Sequence, residues 1–308
     1  MNQAYLDTVR LLLSVAPVIF RKPGFALKGG TAINLFLRDM PRLSVDLDLV
    51  YPDHQPGRDE ALHAISELLG GIEAELSDLG FSSETGSSSQ GDEVKLFVGK
   101  GRTRIKVEVN HVFRGTILAV EPRPLIPEAQ DIFFTDIELP VLHPDELYGS
   151  KLVAAMDRQH PRDLFDILQL YEHGGLTEGI VDCFVCYLAG HNRPVHEVLF
   201  ANKADISAAF ANEFEGMTKE TVSLDELQQI RDELFADLPA SLSGDHRRFL
   251  TGLVKGKPDW SLMSCEHLAA MPAIRWKLAN LERLGRTNPD KFALQAGELK
   301  KRFGSQLD

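Results

Sequence analysis

The sequence predicts an α+β fold: a mixed N-terminal domain followed by a helical C-terminal domain. Three observations carry this reading. Residues Ser44–Tyr51 and Thr103–Val109 alternate apolar and polar as half-buried strands do, helical segments lie between them, and beyond Pro144 the pattern is helical almost to the end. The division is expected at residues 1–142 and 143–308, and no internal repeat is present.

Residues 2–20 have helical spacing, with Leu6, Val9, Leu13 and Val18 among the apolar positions, and Pro23-Gly24 ends the segment. Phe25-Ala26-Leu27 is a short apolar strand that runs into Lys28-Gly29-Gly30-Thr31, after which Ala32–Leu37 reads as a helix. Along Ser44–Tyr51, Val45, Leu47 and Leu49 share one face while Ser44, Asp46 and Asp48 share the other. Residues 59–79 return to helix, ended by Gly80, and the Ser- and Gly-rich stretch Ser82–Asp92 reads as a mobile loop. Strands Val94–Val98 and Thr103–Val109 are joined by Gly99-Lys100-Gly101, a hairpin turn. In the second strand Ile105, Val107 and Val109 face one way, and Lys106, Glu108 and Asn110 the other. Pro122, Pro124 and Pro127 mark a loop before a further strand at Ile132–Leu139.

With 44% hydrophobic and 25% charged residues the chain has ordinary globular composition, which excludes disordered and fibrous classes. No apolar run approaches the roughly 18 to 20 residues of a membrane span. Asp7 and Arg10 stand where a secretory signal wants an apolar run, so a soluble, cytoplasmic protein without a membrane partner is expected. Cys183 and Cys186 form a lone C-x-x-C with no second pair to complete a zinc site, and reduced buried thiols are expected. The net charge of -12 argues against a protein that coats nucleic acid along its whole surface. The charge is uneven, however: twelve Lys and Arg stand against seven Asp and Glu from Asp245 onward, but three against nine over residues 201–244. An anionic partner is therefore expected on the C-terminal third, the alternative being ordinary solvated helix faces.

Asp46 and Asp48 are two apart on a strand, so their carboxylates project from one face and repel unless a cation lies between them. A hard divalent ion, Mg²⁺ or Mn²⁺, is the fitting occupant, although solvent-facing strand positions share this pattern. The Gly29-Gly30-Thr31 turn joins a strand to a helix; its amides favour phosphate, and the missing Cβ atoms allow close approach. Thr31 is expected to contact phosphate, to cap the helix, or both. Glu108 supplies a third carboxylate on a neighbouring strand, enough for two metal ions acting on a triphosphate. Lys151 and Arg158 lie seven apart on one helix face, with Leu152, Val153 and Met156 turned to the core; the Lys151 ammonium is directed at nucleotide phosphates, or is a plain surface lysine. Asp163 and Asp166 flank the apolar stripe of the next helix and act directly, favour its dipole, or pair with Arg162 or Lys151.

Together these residues resemble the nucleotidyltransferase superfamily of the DNA polymerase β type. More narrowly, Leu27-Lys28-Gly29-Gly30-Thr31-Ala32 and Arg42-Leu43-Ser44-Val45-Asp46-Leu47-Asp48-Leu49 resemble the AbiEii/AbiGii toxin nucleotidyltransferases, a family similar to MenT-type toxins. Lys151-Leu152 and Pro161-Arg162-Asp163-Leu164-Phe165-Asp166-Ile167 match its later motifs, although the family often has Gly-Ser where this chain has Gly-Gly-Thr. The resemblance implies a polymerase β-like domain with a mixed sheet and flanking helices, and a helical domain contributing Lys151 and Asp163 to the active cleft. It implies an enzyme that moves a nucleoside monophosphate from an NTP to an acceptor and releases pyrophosphate. Asp46, Asp48 and Glu108 would hold the metal; Lys28, Gly29, Gly30, Thr31, Arg42, Ser44 and Lys151 would hold the nucleotide; Lys151 and Asp163 would join the carboxylates in catalysis. The acceptor would be RNA, such as a tRNA 3′ end, and the chain the toxin of a toxin–antitoxin pair with a cognate antitoxin as partner. Rival readings are a small-molecule nucleotidyltransferase of the antibiotic-modifying kind and an inactive binding protein of the same fold.

His residues at 143, 160, 173, 191, 196, 246 and 267 are scattered without ligand spacing. Trp260 and Trp276 are expected in the core rather than stacked on bases. If the acceptor is RNA, its strand is expected over Arg247, Arg248, Lys255, Lys257, Arg275 and Lys277.

Overall fold

The computed structural model describes residues 3–87, 93–111 and 113–304. The chain divides into two compact units. The first runs to Leu147 and takes in Glu215–Thr221; the second comprises Tyr148–Phe214 and the chain from Val222 onward. The short return segment pairs with the approach to the acidic strand: Leu43 N donates to Met217 O at 3.0 Å, and Arg42 and Thr218 form an antiparallel bridge. Nothing in its sequence announced this pairing.

The first unit contains α1 (Gln3–Ile19), β1 (Ala26–Lys28), α2 (Gly29–Phe36), β2 (Asp46–Val50), α3 (Arg58–Asp78), β3 (Ser82–Ser87), β4 (Glu93–Lys100), β5 (Thr103–Asn110), β6 (Glu121–Pro124), α4 (Pro127–Phe133) and β7 (Glu138–Val141). The seven strands form one mixed sheet in the order β3-β4-β5-β2-β1-β7-β6. β2 runs parallel to β5, and β1 parallel to β7, while the remaining neighbours are antiparallel. The alternation read in β2 and β5 has its physical cause here: Leu47, Leu49, Val107 and Val109 are buried, which leaves Asp46, Asp48, Lys106 and Glu108 together on the other face. Truncating Leu47 or Leu49 to Ala costs about 2–5 kcal/mol, so the face that carries the charges is held firmly.

Two expectations are corrected. Ser82–Ser87 is a strand, not loop, because backbone pairing to β4 from Ser82↔Gly99 to Ser87↔Val94 needs no apolar side chain at a sheet edge. The rest of the expected loop, residues 88–92, lies outside the described residues. The strand expected at Ile132–Leu139 is split: Pro127 starts α4 at its first turn, Phe134 ends it in a left-handed conformation, and β7 begins only at Glu138. The β4–β5 turn is also tighter than expected, since Lys100 pairs with Thr103 and Gly101 alone takes a positive φ of 64°.

The helix α5 (Pro144–Arg158) carries the chain from the first unit into the second, which is helical throughout its described residues: α6 (Pro161–Glu172), α7 (Glu178–Gly190), α8 (Val195–Leu199), α9 (Ser207–Glu213), α10 (Leu224–Ser241), α11 (Gly244–Val254), α12 (Pro272–Thr287) and α13 (Pro289–Gly304), with two short 3-10 turns before α12. Cys183, Cys186 and Cys265 are free and buried. Among the described residues no helix is long and apolar enough to cross a membrane.

Candidate active site

In the first unit the site is built from strand register. Lys28 on β1 faces Asp48 on β2, Asp48 faces Glu108 on β5, and Glu108 faces Lys95 on β4, a row of four charges across four strands. In the adjoining row Asp46 faces Lys106. Lys95 Nζ lies 3.0 Å from Glu108 Oε1, and Lys106 Nζ lies 3.2 Å from the same oxygen and 3.7 Å from Asp46 Oδ2. Burial pushes the Glu108 carboxyl up, but the hydrogen bond from Lys95 and the charge of Lys106 more than reverse this, so its pKa lies below the usual carboxylate value.

The glycine turn serves these carboxylates directly. Gly29 has φ 73° and opens α2, and a Cβ on it would collide with Asp48 Oδ2, so the carboxylate occupies the space that a side chain would fill. It therefore sits at the positive end of the α2 dipole. A Cβ on Gly30 would lie 2.6 Å from Arg42 Nη2 and 3.0 Å from Ser44 Oγ. Where side chains would project from the two glycines, the protein's own polar groups stand. Thr31 is not the helix cap: Lys28 holds that position, with no side-chain cap bond. Thr31 is fully buried and donates its hydroxyl to the Asp46 carbonyl at 2.5 Å, with Ser44 Oγ at 3.0 Å, which ties α2 to the start of β2. Arg42 is buried behind the turn and donates to the Leu43 carbonyl at 3.0 Å.

The carboxylates offer hard oxygen donors, and their chemistry fits a divalent cation such as Mg²⁺. Among the described residues, however, no three His, Cys, Asp or Glu side chains are gathered closely enough to hold an ion together. Glu108 Oε1 lies instead within 3.2 Å of two lysine ammoniums, those of Lys95 and Lys106. Neither Lys95 nor Lys106 belongs to the motifs read from sequence. The available signal was alternation, which places Lys106 on the Glu108 face of β5.

In the second unit Lys151 is neither a surface lysine nor a cation open to solvent. Its ammonium lies 2.9 Å from Asp163 Oδ1 and 3.0 Å from Asp166 Oδ2, with all three side chains at most 8% exposed. Arg158, itself exposed, grips Asp163 with two donors at 2.5 and 3.0 Å. Burial would raise the Asp163 pKa; the Lys151 charge, then the Arg158 hydrogen bond, drive it well below the carboxylate range. The α5–α6 elbow that brings these groups together is held by Gln159. Its φ is 51°, and its amide donates to Asn202 O at 2.7 Å and accepts from Ala204 N at 2.9 Å.

The basic face expected on the C-terminal third shrinks. Lys277 is buried and donates to the carbonyls of His191 and Arg193 at 2.8 and 2.6 Å, and burial pushes its pKa down to about 8. Arg247 caps α10 through the carbonyls of Leu242 and Pro239, and Arg248 pairs with Asp245. Arg248, Lys255, Lys257 and Arg275 remain exposed, and Lys255 and Arg275 line one groove with Leu278 and Phe292. Trp276, expected in the core, is 56% exposed beside them in sequence, whereas Trp260 packs against Phe249.

One sheet thus carries an acidic pair on β2 and a glycine turn between the neighbouring β1 and α2. The fold is similar to that of the MenT4 nucleotidyltransferase toxin from Mycobacterium tuberculosis, with a TM-score of 0.58 at 20% identity over 89% of this chain and 91% of that one. No curated protein sequence matches the chain. Residues 10–280 match the family model described as "Nucleotidyl transferase AbiEii toxin, Type IV TA system", and the chain belongs to this family of nucleotidyltransferase toxins.

Proposed function

We propose that this enzyme transfers a nucleoside monophosphate from an NTP to the 3′ end of an RNA such as tRNA, with a divalent cation, and that a cognate antitoxin restrains it. The observation that carries the reading is the charged row Lys28–Asp48–Glu108–Lys95 with Asp46 beside it, next to the glycine turn that opens α2. Asp46 and Asp48 would hold Mg²⁺ or Mn²⁺, and Glu108 would join them once its lysines release it. The ion, when bound, would supply charge neutralisation on the triphosphate and a more acidic attacking hydroxyl.

The chain's own residues then have distinct tasks. Gly29 leaves space for the Asp48 carboxylate, Thr31 holds the Asp46 backbone, and Arg42 and Ser44 support the turn from behind, so the two β2 carboxylates are fixed before substrate arrives. Lys28, at the mouth of α2, is half-buried and positioned to meet phosphate oxygen. Lys151 and Asp163 are retained as residues the reaction needs; the buried pair they form supports a positioning role for Asp163 and its neighbour Arg158, which presents an exposed guanidinium. An RNA acceptor is supported by the exposed Lys255, Lys257 and Arg275 with the exposed Trp276, the combination of cations and flat apolar surface that single strands use. Incubating the full chain with each labelled NTP and total RNA, with and without Mg²⁺, tests this: label in RNA that depends on the ion supports it, and label on no RNA overturns it.

A further inference from the structure

Lys106 and Lys95 have no assigned part in the reaction, yet both pair with carboxylates on this face. Lys106 bridges Asp46 and Glu108, and Lys95 closes on Glu108 from the other side. Both lysine side chains are about one-third exposed, at 31% and 32%. Ion pairs that exposed contribute little to stability, so fold maintenance is a weak reason for them. With Lys28 in register with Asp48, three lysines and three carboxylates share this face, a balance in formal charge among these six side chains.

That balance conflicts with cation binding. An ion brought to Asp46 and Asp48 places two positive charges beside an ammonium that already lies 3.7 Å from Asp46 Oδ2, and like charges at that range repel strongly. A triphosphate removes the conflict, because it brings several negative oxygens of its own. A lysine carries three donors on a flexible four-carbon stem, so it can exchange one oxygen partner for another without backbone movement.

We propose that Lys106, with Lys95, is an exchangeable counterion: it holds the carboxylates closed to free divalent cation and turns to the triphosphate when nucleotide and cation enter together. Lys106 is then a nucleotide-contacting residue, and cation binding depends on nucleotide. The inference rests on the reading above that Asp46 and Asp48 hold the ion.

The test is Mn²⁺ binding to the full chain without nucleotide, followed by electron paramagnetic resonance. Lys106→Met removes the charge and keeps the length, so it should tighten Mn²⁺ at least tenfold, while Lys106→Arg should bind as the wild type does. Adding Asp46→Asn to Lys106→Met should abolish the gain. Lys95→Met gives an independent second arm and should tighten Mn²⁺ in the same direction. Wild-type Mn²⁺ affinity in both Lys→Met variants, with Asp46→Asn still weakening it, overturns the counterion role and leaves the metal reading standing. A double variant that binds as tightly as Lys106→Met alone overturns the assignment of Asp46 as a ligand, and this inference with it.

Discussion

Gly29 and Asp48 share one volume: the carboxylate of Asp48 stands where a Cβ on Gly29 would be. Gly29 also holds φ at 73°, a conformation that costs other residues about 1–3 kcal/mol. Gly29→Ala is therefore expected to cost stability and also to displace a carboxylate of the site. Gly80 provides the comparison, since its φ is 78° and nothing lies within 4 Å of an added Cβ. Both Ala variants should lose stability in urea denaturation, but only Gly29→Ala should lose nucleotidyl transfer, by tenfold or more. Equal activity in the two would show that Asp48 does not depend on the missing side chain.

Lys151 is buried between two carboxylates, and removing one partner of a buried ion pair leaves an uncompensated charge that costs about 3–5 kcal/mol. Lys151→Met should lower unfolding free energy on that scale. The triple variant Lys151→Met, Asp163→Asn, Asp166→Asn should recover much of the loss, because no charge is then stranded. A Lys151→Met protein as stable as the wild type would mean that the cluster is solvated.

Acid stability follows from the same cluster. The Asp163 pKa lies far below its unfolded value of 3.8, so its contribution is fully present above that value and is lost as pH falls from there toward the folded pKa. Urea midpoints measured from pH 5 down to 2.5 should fall for the wild type and fall less steeply for Asp163→Asn. Parallel curves would remove Asp163 from the acid response.

For the acceptor, exposed cations of this third such as Lys255 and Lys257 should matter, and the buried Lys277 should not. Charge reversal at Lys255 and Lys257 should weaken RNA binding and flatten its salt dependence, by about 0.7 in log-log slope for each phosphate that is no longer neutralised. Lys277→Ala should instead destabilise the fold, since its ammonium is bound to two carbonyls beyond the end of α7. RNA affinity that follows Lys277 at unchanged stability would reverse this assignment.

The parts of the site that depend on local periodicity were legible. Alternation in β2 and β5 puts Asp46, Asp48 and Glu108 on polar faces, and the glycine turn stands out by composition alone. Register was not legible: only the pairing of β2 with β5 shows that Asp48 lies opposite Glu108 and Asp46 opposite Lys106. The burial of Lys151 was hidden for a related reason, since its partners come from the next helix, around an elbow set by Gln159. Lys277 reads as one more basic residue on an amphipathic helix until the carbonyls of His191 and Arg193 are seen beneath it. Strand β3 was missed because its Ser and Gly residues are placed by backbone pairing, which composition does not reveal.

Transfer is expected to depend on both β2 carboxylates. This is tested most directly by measuring incorporation of labelled NTP into RNA by the wild type, Asp46→Asn and Asp48→Asn, each checked for an unchanged melting temperature. These substitutions keep side-chain size and remove only the charge that a cation and triphosphate require. The wild type should transfer, and both variants should lose at least a hundredfold with the fold intact; undiminished transfer by either variant would show that the β2 carboxylates do not carry the reaction.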